Sequence, residues 1–204
     1  DSKYIDLVIM THPQLDHFGG FINVLKNYNV GAFVGTGRIG DSSAYQELVD
    51  LIKVKAVPYI FLKKGDAITY KNNYFKVIWP DDDAILSSEP NHAGLVIEYD
   101  YQKWRALFTA DIDSSDELAL GDLGKINILK VAHHGSKFSS SQKFLNGVSP
   151  DLAVIEVGKN TYGHPTQEAL DRLKSIGAKI FRTDISGNVT ALLTDNKISI
   201  FSEK

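Results

Sequence analysis

The stretch THPQLDHFGG, residues 11–20, places two histidines and an aspartate directly after an apolar segment. That segment, Tyr4–Met10 (YIDLVIM), is rich in β-branched side chains, which predicts a buried strand that stops at a proline-containing turn. Apolar residues at helical spacing then predict a helix over Phe18–Tyr28. The two histidines and the aspartate are therefore expected on the loop at the carboxyl end of a strand, where their side chains can converge.

The residue types on this loop are those of a metal site. Imidazole nitrogens and carboxylate oxygens are ligands that Zn²⁺ accepts. His12 can face one ion while the adjacent Asp16 and His17 point toward a second. The alternative is a helix whose first turn contains Asp16, beside two histidines without a metal role.

The histidines are concentrated along the whole chain. All six fall inside four short stretches, the other three being PNHAG (90–94), KVAHHGSK (130–137) and YGHP (162–165). The chain has no cysteine, so it depends on neither disulfides nor thiolate metal sites, and its compartment stays open.

Two further strand ends carry candidate ligands. Trp104–Thr109 is predicted as a strand, and Asp111 follows it in a turn that leads into a short helix begun by Ser114 or Ser115. A carboxylate at this position can bridge two cations, although aspartate is also common beside helix starts. Ile126–Val131 is predicted as the next strand.

This next strand ends in Ala132, His133, His134, Gly135 and Ser136. Two adjacent histidines project in different directions, so one can ligate a metal while the other touches substrate or holds the first in place. Gly135 lets the backbone pass close to a ligand, and Ser136 offers a hydroxyl.

Taken in order, HxxxDH with FGG, LFTAD, LKVAHHGS, and NTYGHP with FRTD resemble the metallo-β-lactamase fold. The closest resemblance is to the soluble C-terminal domain of ComEC-type DNA-uptake proteins, and it runs from about Ile5 to Phe201. It implies an α+β fold, an αββα sandwich, as one domain over residues 1–204. Family members place a hairpin and another strand ahead of the first strand here, so an N-terminally truncated domain with an unpaired sheet edge is expected.

The resemblance also implies a ligand set. The implied ligands are His12, Asp16, His17, Asp111 as the bridge, and His133 or His134, with His133 favoured by its place at the strand end. Two positions depart from the family pattern, because Gln14 and Asn91 stand where histidines are usual. Asn91 is better aligned than His92 by its spacing to the predicted strand Leu95–Tyr99. Both departures weaken the site that His12 would anchor, so one tight Zn²⁺ or Mn²⁺ with a second recruited alongside substrate is an alternative to two resident ions.

The expected chemistry is attack on phosphorus by a metal-bound hydroxide. Asp16 and Asp111 would orient the nucleophile, and His134 or His164 would donate a proton to the leaving oxygen. His164 is alternatively a histidine near a helix start. The candidate substrate contacts are Asn91, His92, Ser136, Lys137 and Tyr162. Asp184 is either an acceptor for a ligating imidazole or part of a turn with Gly187.

The leading functional hypothesis is a metal-dependent phosphodiesterase, by resemblance a nuclease that degrades one DNA strand. The alternatives are a hydrolase of a small phosphoester or lactone, and a non-catalytic metal-binding regulatory domain. The net charge of −3 and the dispersed lysines mark no basic face, and Lys137 is the lysine expected near a phosphate.

The sequence contains no signal peptide or membrane-spanning segment. The resemblance implies that the parent protein carries a membrane-embedded DNA channel, with this domain at the extracytoplasmic face of a bacterial membrane. Without that parent, a cytoplasmic location is expected.

Apolar and turn patterns predict the remaining elements. The other predicted strands are Ala32–Val34, Pro58–Leu62, Tyr74–Trp79, Leu152–Val157, Lys179–Arg182, Val189–Leu193 and Ile198–Phe201. The other predicted helices are Ser43–Lys53, Ser139–Leu145 and Thr166–Ser175.

Overall fold

The computed structural model of the protein describes residues 3–71 and 73–204. The strands are β1 (Tyr4–Ile9), β2 (Asn29–Gly35), β3 (Tyr59–Phe61), β4 (Ala67–Tyr70), β5 (Asn73–Trp79), β6 (Val96–Tyr101), β7 (Trp104–Phe108), β8 (Ile128–Lys130), β9 (Leu152–Ile155), β10 (Lys179–Arg182), β11 (Val189–Leu193) and β12 (Ile198–Ser202). The helices are α1 (Leu15–Asn27), α2 (Ser43–Val54), α3 (Asp82–Leu86), α4 (Ser114–Ala119), α5 (Gln142–Val148), α6 (Gln167–Ser175) and α7 (Thr183–Ser186). Short 3₁₀ turns cover Pro90–Ala93 and Ala132–Gly135.

The strands form two main sheets and a separate hairpin. The first sheet has three parallel strands in the order β1-β2-β3. The second has seven strands in the order β10-β9-β8-β7-β6-β5-β4, parallel from β10 to β7 and antiparallel from β7 to β4. Within the described residues, the strands β11 and β12 pair with each other and with no other strand, as an antiparallel hairpin.

Residue alternation along β1 assigns its two faces. Val8 and Met10 pack with residues of α1 and α2, including Phe18 and Leu48. The intervening residues Leu7 and Ile9 belong to a different cluster, together with residues of β5 and β6. Because successive side chains of a strand point to opposite faces, helices cover one side of the first sheet and the second sheet covers the other.

The far side of the second sheet carries the largest apolar cluster. Residues of β7, β8 and β9 pack there against Leu120, Leu145 and Leu173 from the region of α4, α5 and α6. The layers are thus helix, sheet, sheet, helix, which confirms the predicted αββα sandwich.

The sequence placed the start of α1 three residues too late. The helix begins at Leu15, after Gln14 in extended backbone conformation, and the N–H groups of His17 and Phe18 donate to the Gln14 carbonyl at 2.9 and 3.1 Å. Asp16 therefore lies in the first helical turn rather than on a loop. An aspartate there is favourable because the free N–H groups of a helix start carry partial positive charge.

The short elements β4 and α3 were not predicted. Both are mostly exposed, so they lack the apolar periodicity on which the sequence analysis relied.

The topology brings several strand ends together. Since β7, β8 and β9 are parallel neighbours, the segments that follow them lie at the same edge of the second sheet. The end of β1 reaches this edge from the first sheet, where the Leu95 N–H donates to the Thr11 carbonyl at 2.9 Å. Among the described residues, no helix is both long and apolar enough to cross a lipid bilayer.

Candidate metal centre

Four side chains meet at this shared edge. Asp16 and His17 come from the first turn of α1, Asp111 follows β7, and His134 lies in the 3₁₀ turn after β8. His17 Nε2 lies 3.2 Å from Asp111 Oδ2 and 3.6 Å from Asp16 Oδ2. His134 Nε2 lies 3.4 Å from each of these two carboxylate oxygens. Two imidazoles and two carboxylates thus surround one point.

The ring of His134 is held in a defined orientation. Its Nδ1 is 2.7 Å from the Glu156 carbonyl oxygen, so Nδ1 carries the proton and Nε2 has the free lone pair. Nε2 is buried and has no hydrogen-bond partner in the described part of the chain. The adjacent Asp16 carboxylate raises the pKa of His134 above its usual value.

The structure brings His134, and not the expected His133, to the carboxylates. Both histidines have positive φ, 50° for His133 and 52° for His134. Left-handed backbone at two successive non-glycine residues turns their side chains in a way that distance from the strand end does not reveal. His133 instead packs against the ring of His164, with ring centroids 5.5 Å apart.

Asp111 is the central acid of the cluster. It is 1% exposed, and its Oδ1 has no hydrogen-bond partner among the residues described. Burial by itself raises the pKa of this carboxyl, but the hydrogen bond to His17 and the ammonium of Lys130 outweigh burial and hold the pKa below its usual range. Lys130 Nζ lies 3.9 Å from Oδ1 and donates to the Ala110 carbonyl at 3.2 Å.

His12 lies beside the cluster but has other partners. Thr11 Oγ1 is 3.0 Å from His12 Nδ1 and 3.3 Å from His17 Nδ1, so one hydroxyl joins both imidazoles. His12 Nε2 is 3.2 Å from Gln14 Oε1. His12 is fully buried, and this burial, followed by the neighbouring His17, lowers its pKa from 6.5 to about 4.

These donors fit a divalent cation. Atoms of Asp16, His17 and His134 lie within 4.8 Å of one another, as do atoms of His12, His17 and Asp111. The buried, unpartnered His134 Nε2 aimed at two carboxylates is the geometry that a cation between them satisfies, since unpaired buried polar groups are costly. Mixed nitrogen and oxygen ligation suits Zn²⁺ and Mn²⁺ alike.

The cluster opens into a cleft of about 1000 Å³. Its lining includes Gln14, Asp16, Arg38, Asn91, Asp111, His133, His134, Tyr162 and His164. The Arg38 guanidinium donates to the carbonyls of Ile85, Ser87 and Ser88 and so ties the loop after β2 to the loop before Asn91. Asn91 Oδ1 is buried and has no partner among the described residues.

One wall of the cleft is a loop organised by Asn160. Its Oδ1 accepts from the N–H groups of Tyr162 at 3.1 Å and His164 at 3.0 Å, and its Nδ2 donates to the His164 carbonyl at 2.8 Å. Tyr162 is 82% exposed, with its ring stacked on that of His164 at 6.0 Å. Burial, and then the neighbouring His133, lowers the pKa of His164.

The loop of His164 is packed directly on the turn of His134. The Thr166 N–H donates to the Gly135 carbonyl at 2.9 Å, and a Cβ added to Gly135 would lie 2.6 Å from Pro165 Cβ. Gly135 also has a φ of 82°, which L-residues rarely adopt. Only glycine fits this position without movement of one of the two loops.

Three expected substrate contacts lie outside the cleft. Ser136 is 2% exposed, and its hydroxyl accepts from the Phe138 N–H. Lys137 Nζ lies 5.2 Å from the ring centre of Phe138. His92 Nδ1 is 2.6 Å from Asp116 Oδ1, and its carbonyl accepts from Trp79 Nε1, so it braces the turn that carries Asn91.

Asp184 contacts none of the histidines of the cluster. Its carboxylate accepts from Arg182 at 2.7 and 3.1 Å, within the short helix α7 that Gly187 ends. Of the two interpretations of Asp184, its geometry therefore agrees with part of a turn near Gly187 and not with an acceptor for a ligating imidazole.

Sequence reasoning missed Thr11, Arg38, Lys130 and Asn160. Lys130 had a usable signal, because a lysine inside an otherwise apolar strand needs a buried partner. Thr11 and Asn160 act through local hydrogen bonds, which residue type alone does not specify.

The chain is similar to several known proteins. Residues 2–158 match the metallo-beta-lactamase superfamily. The chain is 28% identical to ComE operon protein 3 of Bacillus subtilis over 204 residues, 98% of this chain and 26% of that protein. It is 30% identical to competence protein ComA of Neisseria gonorrhoeae over 192 residues, 91% of this chain and 25% of that protein.

The chain thus spans about a quarter of the length of these curated relatives. Among solved structures, Igni18, a metallo hydrolase from the archaeon Ignicoccus hospitalis, has a TM-score of 0.55 at 15% identity. That match covers 98% of this chain and 80% of the other, and it concerns the fold.

Proposed function

Because this chain belongs to the metallo-β-lactamase superfamily of metal-dependent hydrolases, we propose that it is a phosphodiesterase that cleaves DNA with a bound divalent cation. The observation that supports the hydrolytic site is the convergence of Asp16, His17, Asp111 and His134 at the base of an open cleft. DNA is proposed as substrate because relatives that align with nearly the whole chain include one named a competence protein, competence being the capacity to take up DNA.

When bound, the cation supplies Lewis acidity, which acidifies water and neutralises charge on phosphoryl oxygens. Asp16 Oδ2 and Asp111 Oδ2, both 3.4 Å from His134 Nε2, are placed to hold the cation and to orient a water molecule beside it. The Glu156 carbonyl keeps the His134 proton on Nδ1, which leaves Nε2 free as a ligand.

His133 and His164 face the same cleft without belonging to the four-residue cluster. Burial lowers the pKa of both, so each ring is mainly neutral at pH 7 and presents one N–H donor. We assign the N–H groups of these two neutral imidazoles to hydrogen bonds with the phosphoryl and leaving oxygens, with His164 beside the leaving oxygen.

The proposed substrate is single-stranded because an exposed aromatic side chain lines the cleft. The exposed Tyr162 ring stands at its wall, where a base can stack on it. In the parent protein this activity would remove one strand at the extracytoplasmic face of a bacterial membrane, next to a DNA channel.

One observation favours a second candidate, the hydrolysis of a small phosphoester. Arg38 is the one lysine or arginine among the residues lining the 1000 Å³ cleft, and its guanidinium already binds three carbonyls. Long nucleic acids are usually bound by several basic side chains.

The test uses the purified chain with a single-stranded oligonucleotide and, separately, a chromogenic phosphodiester, each with Mn²⁺, with Zn²⁺ and without metal. We expect metal-dependent cleavage of the oligonucleotide that is lost in Asp111→Asn and retained in Asp195→Asn, an exposed aspartate of the β11–β12 loop. Cleavage of the small ester alone would favour the second candidate. Metal binding without any cleavage would identify a regulatory domain.

A further inference from the structure

We propose that this chain holds a single divalent cation, between Asp16, His17, Asp111 and His134, and that the other half of the site, where His12 is hydrogen-bonded to Gln14 and Lys130 faces Asp111, binds no second ion. The metal-dependent function proposed above supplies one premise, that the four-residue cluster binds a cation. The remaining steps concern the other half of the site, formed by His12, Gln14, Asn91 and the second oxygen of Asp111.

Both ring nitrogens of His12 already have partners. Nδ1 lies 3.0 Å from Thr11 Oγ1, and Nε2 lies 3.2 Å from Gln14 Oε1. His12 is 0% exposed, so neither partner can be replaced by water at no cost. A histidine that ligates a metal needs one nitrogen free of hydrogen bonds, and His12 has none.

A cation on His17 fixes the direction of these hydrogen bonds. If the His17 Nε2 lone pair binds the ion, Nδ1 carries the proton and donates to Thr11 Oγ1 at 3.3 Å. The Thr11 hydroxyl then donates to His12 Nδ1, and His12 Nε2–H donates to Gln14 Oε1. Each donor in this chain has one acceptor, and the arrangement places a proton on the nitrogen that a second ion would need.

The remaining donors in this half are too few. Without His12 and its partner Gln14, they are Asn91 Oδ1 and Asp111 Oδ1, both buried without a hydrogen-bond partner among the described residues. Catalytic zinc sites use three protein ligands, and one neutral amide oxygen with one shared carboxylate falls short of that number.

Lys130 adds a charge that opposes a second ion. Its ammonium lies 3.9 Å from Asp111 Oδ1 and is fixed by the Ala110 carbonyl at 3.2 Å. A cation on Oδ1 would stand beside this ammonium at a site that is 1% exposed, where like charges repel strongly. The Lys130 ammonium thus already supplies the positive charge that a second cation would bring to Asp111 Oδ1.

One ion leaves far less excess positive charge in the site than two ions would. Asp16 and Asp111 contribute two negative charges and Lys130 one positive charge. One divalent cation leaves a net charge of +1 for an anionic substrate, whereas two would leave +3 in a largely buried site.

The test is the metal content of the folded protein. The full chain and its variants are equilibrated with excess Zn²⁺ or Mn²⁺, freed of unbound metal and measured by mass spectrometry, with titration calorimetry for affinity. We expect one ion per chain in the wild type, in Gln14→Ala and in His12→Ala, and affinities within about twofold for Gln14→Ala. His134→Ala should lose the ion.

Circular dichroism verifies that each variant is folded, and Gln14→Ala, which removes only the amide next to His12, decides the result if His12→Ala does not fold. Two ions per wild-type chain would overturn the single-ion proposal and leave the hydrolase function standing. Loss of the ion in folded Gln14→Ala would overturn it as well, because Gln14 would then be a ligand. A chain that binds no ion would contradict the metal-dependent function itself.

Discussion

His134 Nε2 lies 3.4 Å from Asp111 Oδ2, although the two residues follow different strands of the second sheet. The parallel pairing of β7 and β8 places their carboxyl ends side by side, and the left-handed backbone at His134 turns its ring toward the acid. This contact defines the base of the cleft and distinguishes His134 from His133.

Substitution of His134 should mainly reduce metal affinity, whereas substitution of His133 should mainly reduce turnover. We expect His134→Ala to weaken Zn²⁺ or Mn²⁺ binding by about 100-fold or more, because it removes a ligand. His133→Ala should change metal affinity by less than about threefold and lower kcat by about 100-fold, because it removes a donor in the cleft. Calorimetry and turnover of a chromogenic phosphodiester measure the two effects, and equal loss of metal in both variants would contradict this assignment.

The stability of the metal-free protein should fall as the solution is acidified through the range of His12. Folding lowers the pKa of His12 from 6.5 to about 4. Between these two pH values the unfolded chain binds a proton at His12, whereas the folded chain keeps His12 neutral. The stability that His12 contributes is present above pH 6.5 and is lost as the pH falls from 6.5 toward 4, and the loss amounts to about 2 kcal/mol at roughly pH 5.

Other histidines titrate in the same range, so a variant isolates the effect of His12. Urea unfolding of the wild type and of His12→Asn, each at roughly pH 7.5 and pH 5, gives the unfolding free energy that each protein loses on acidification. The wild type should lose about 2 kcal/mol more than the variant. An equal loss in both proteins would show that His12 titrates normally in the fold.

Substitution of Asn160 should lower catalytic efficiency without changing metal affinity. Its side chain holds the backbone of Tyr162 and His164, so Asn160→Ala should loosen this wall of the cleft and lower kcat/KM by about tenfold. Metal affinity should stay unchanged, because Asn160 contacts none of the four clustered residues. Asn196→Ala, in the β11–β12 loop, is the matched control, and a large loss of metal in Asn160→Ala would be inconsistent with this role.

Tyr162 should contribute stacking to the binding of single-stranded DNA. Tyr162→Ala should weaken binding of an oligonucleotide by about 1–3 kcal/mol, and Tyr162→Phe should retain most of the affinity because its ring keeps the stacking surface. Fluorescence anisotropy with a labelled oligonucleotide, in the presence of Ca²⁺ to prevent cleavage, measures the change. Tyr74→Ala, at an exposed tyrosine of β5, is the control. Similar affinities for Tyr162→Ala and the control would remove Tyr162 from the DNA path.

The sequence predicted the parts of the molecule that follow from apolar periodicity. The strands β1, β7 and β8, which precede Thr11, Asp111 and His133, were foreseen because buried parallel strands are continuous apolar runs. The start of α1 was missed since Leu15 is exposed and adds nothing to an apolar pattern, while the turn at Gln14 decides where the helix begins.

The sequence predicted which segments form the candidate site, but not which side chains contact each other there. The choice between His133 and His134 depends on two positive φ values that residue type does not disclose. Whether His12 is a free ligand depends on Thr11 and Gln14, whose hydrogen bonds exist only once the chain is folded.

The contact of Gly135 with Pro165 carries a constraint on how this site can evolve. The turn that presents His134 and the loop that presents His164 touch where no side chain fits between them, so neither can drift without displacing the other. New substrate preferences are therefore most accessible at Ile39 and Tyr162, on the outer rim of the cleft, where side chains can vary while the inner walls stay locked together.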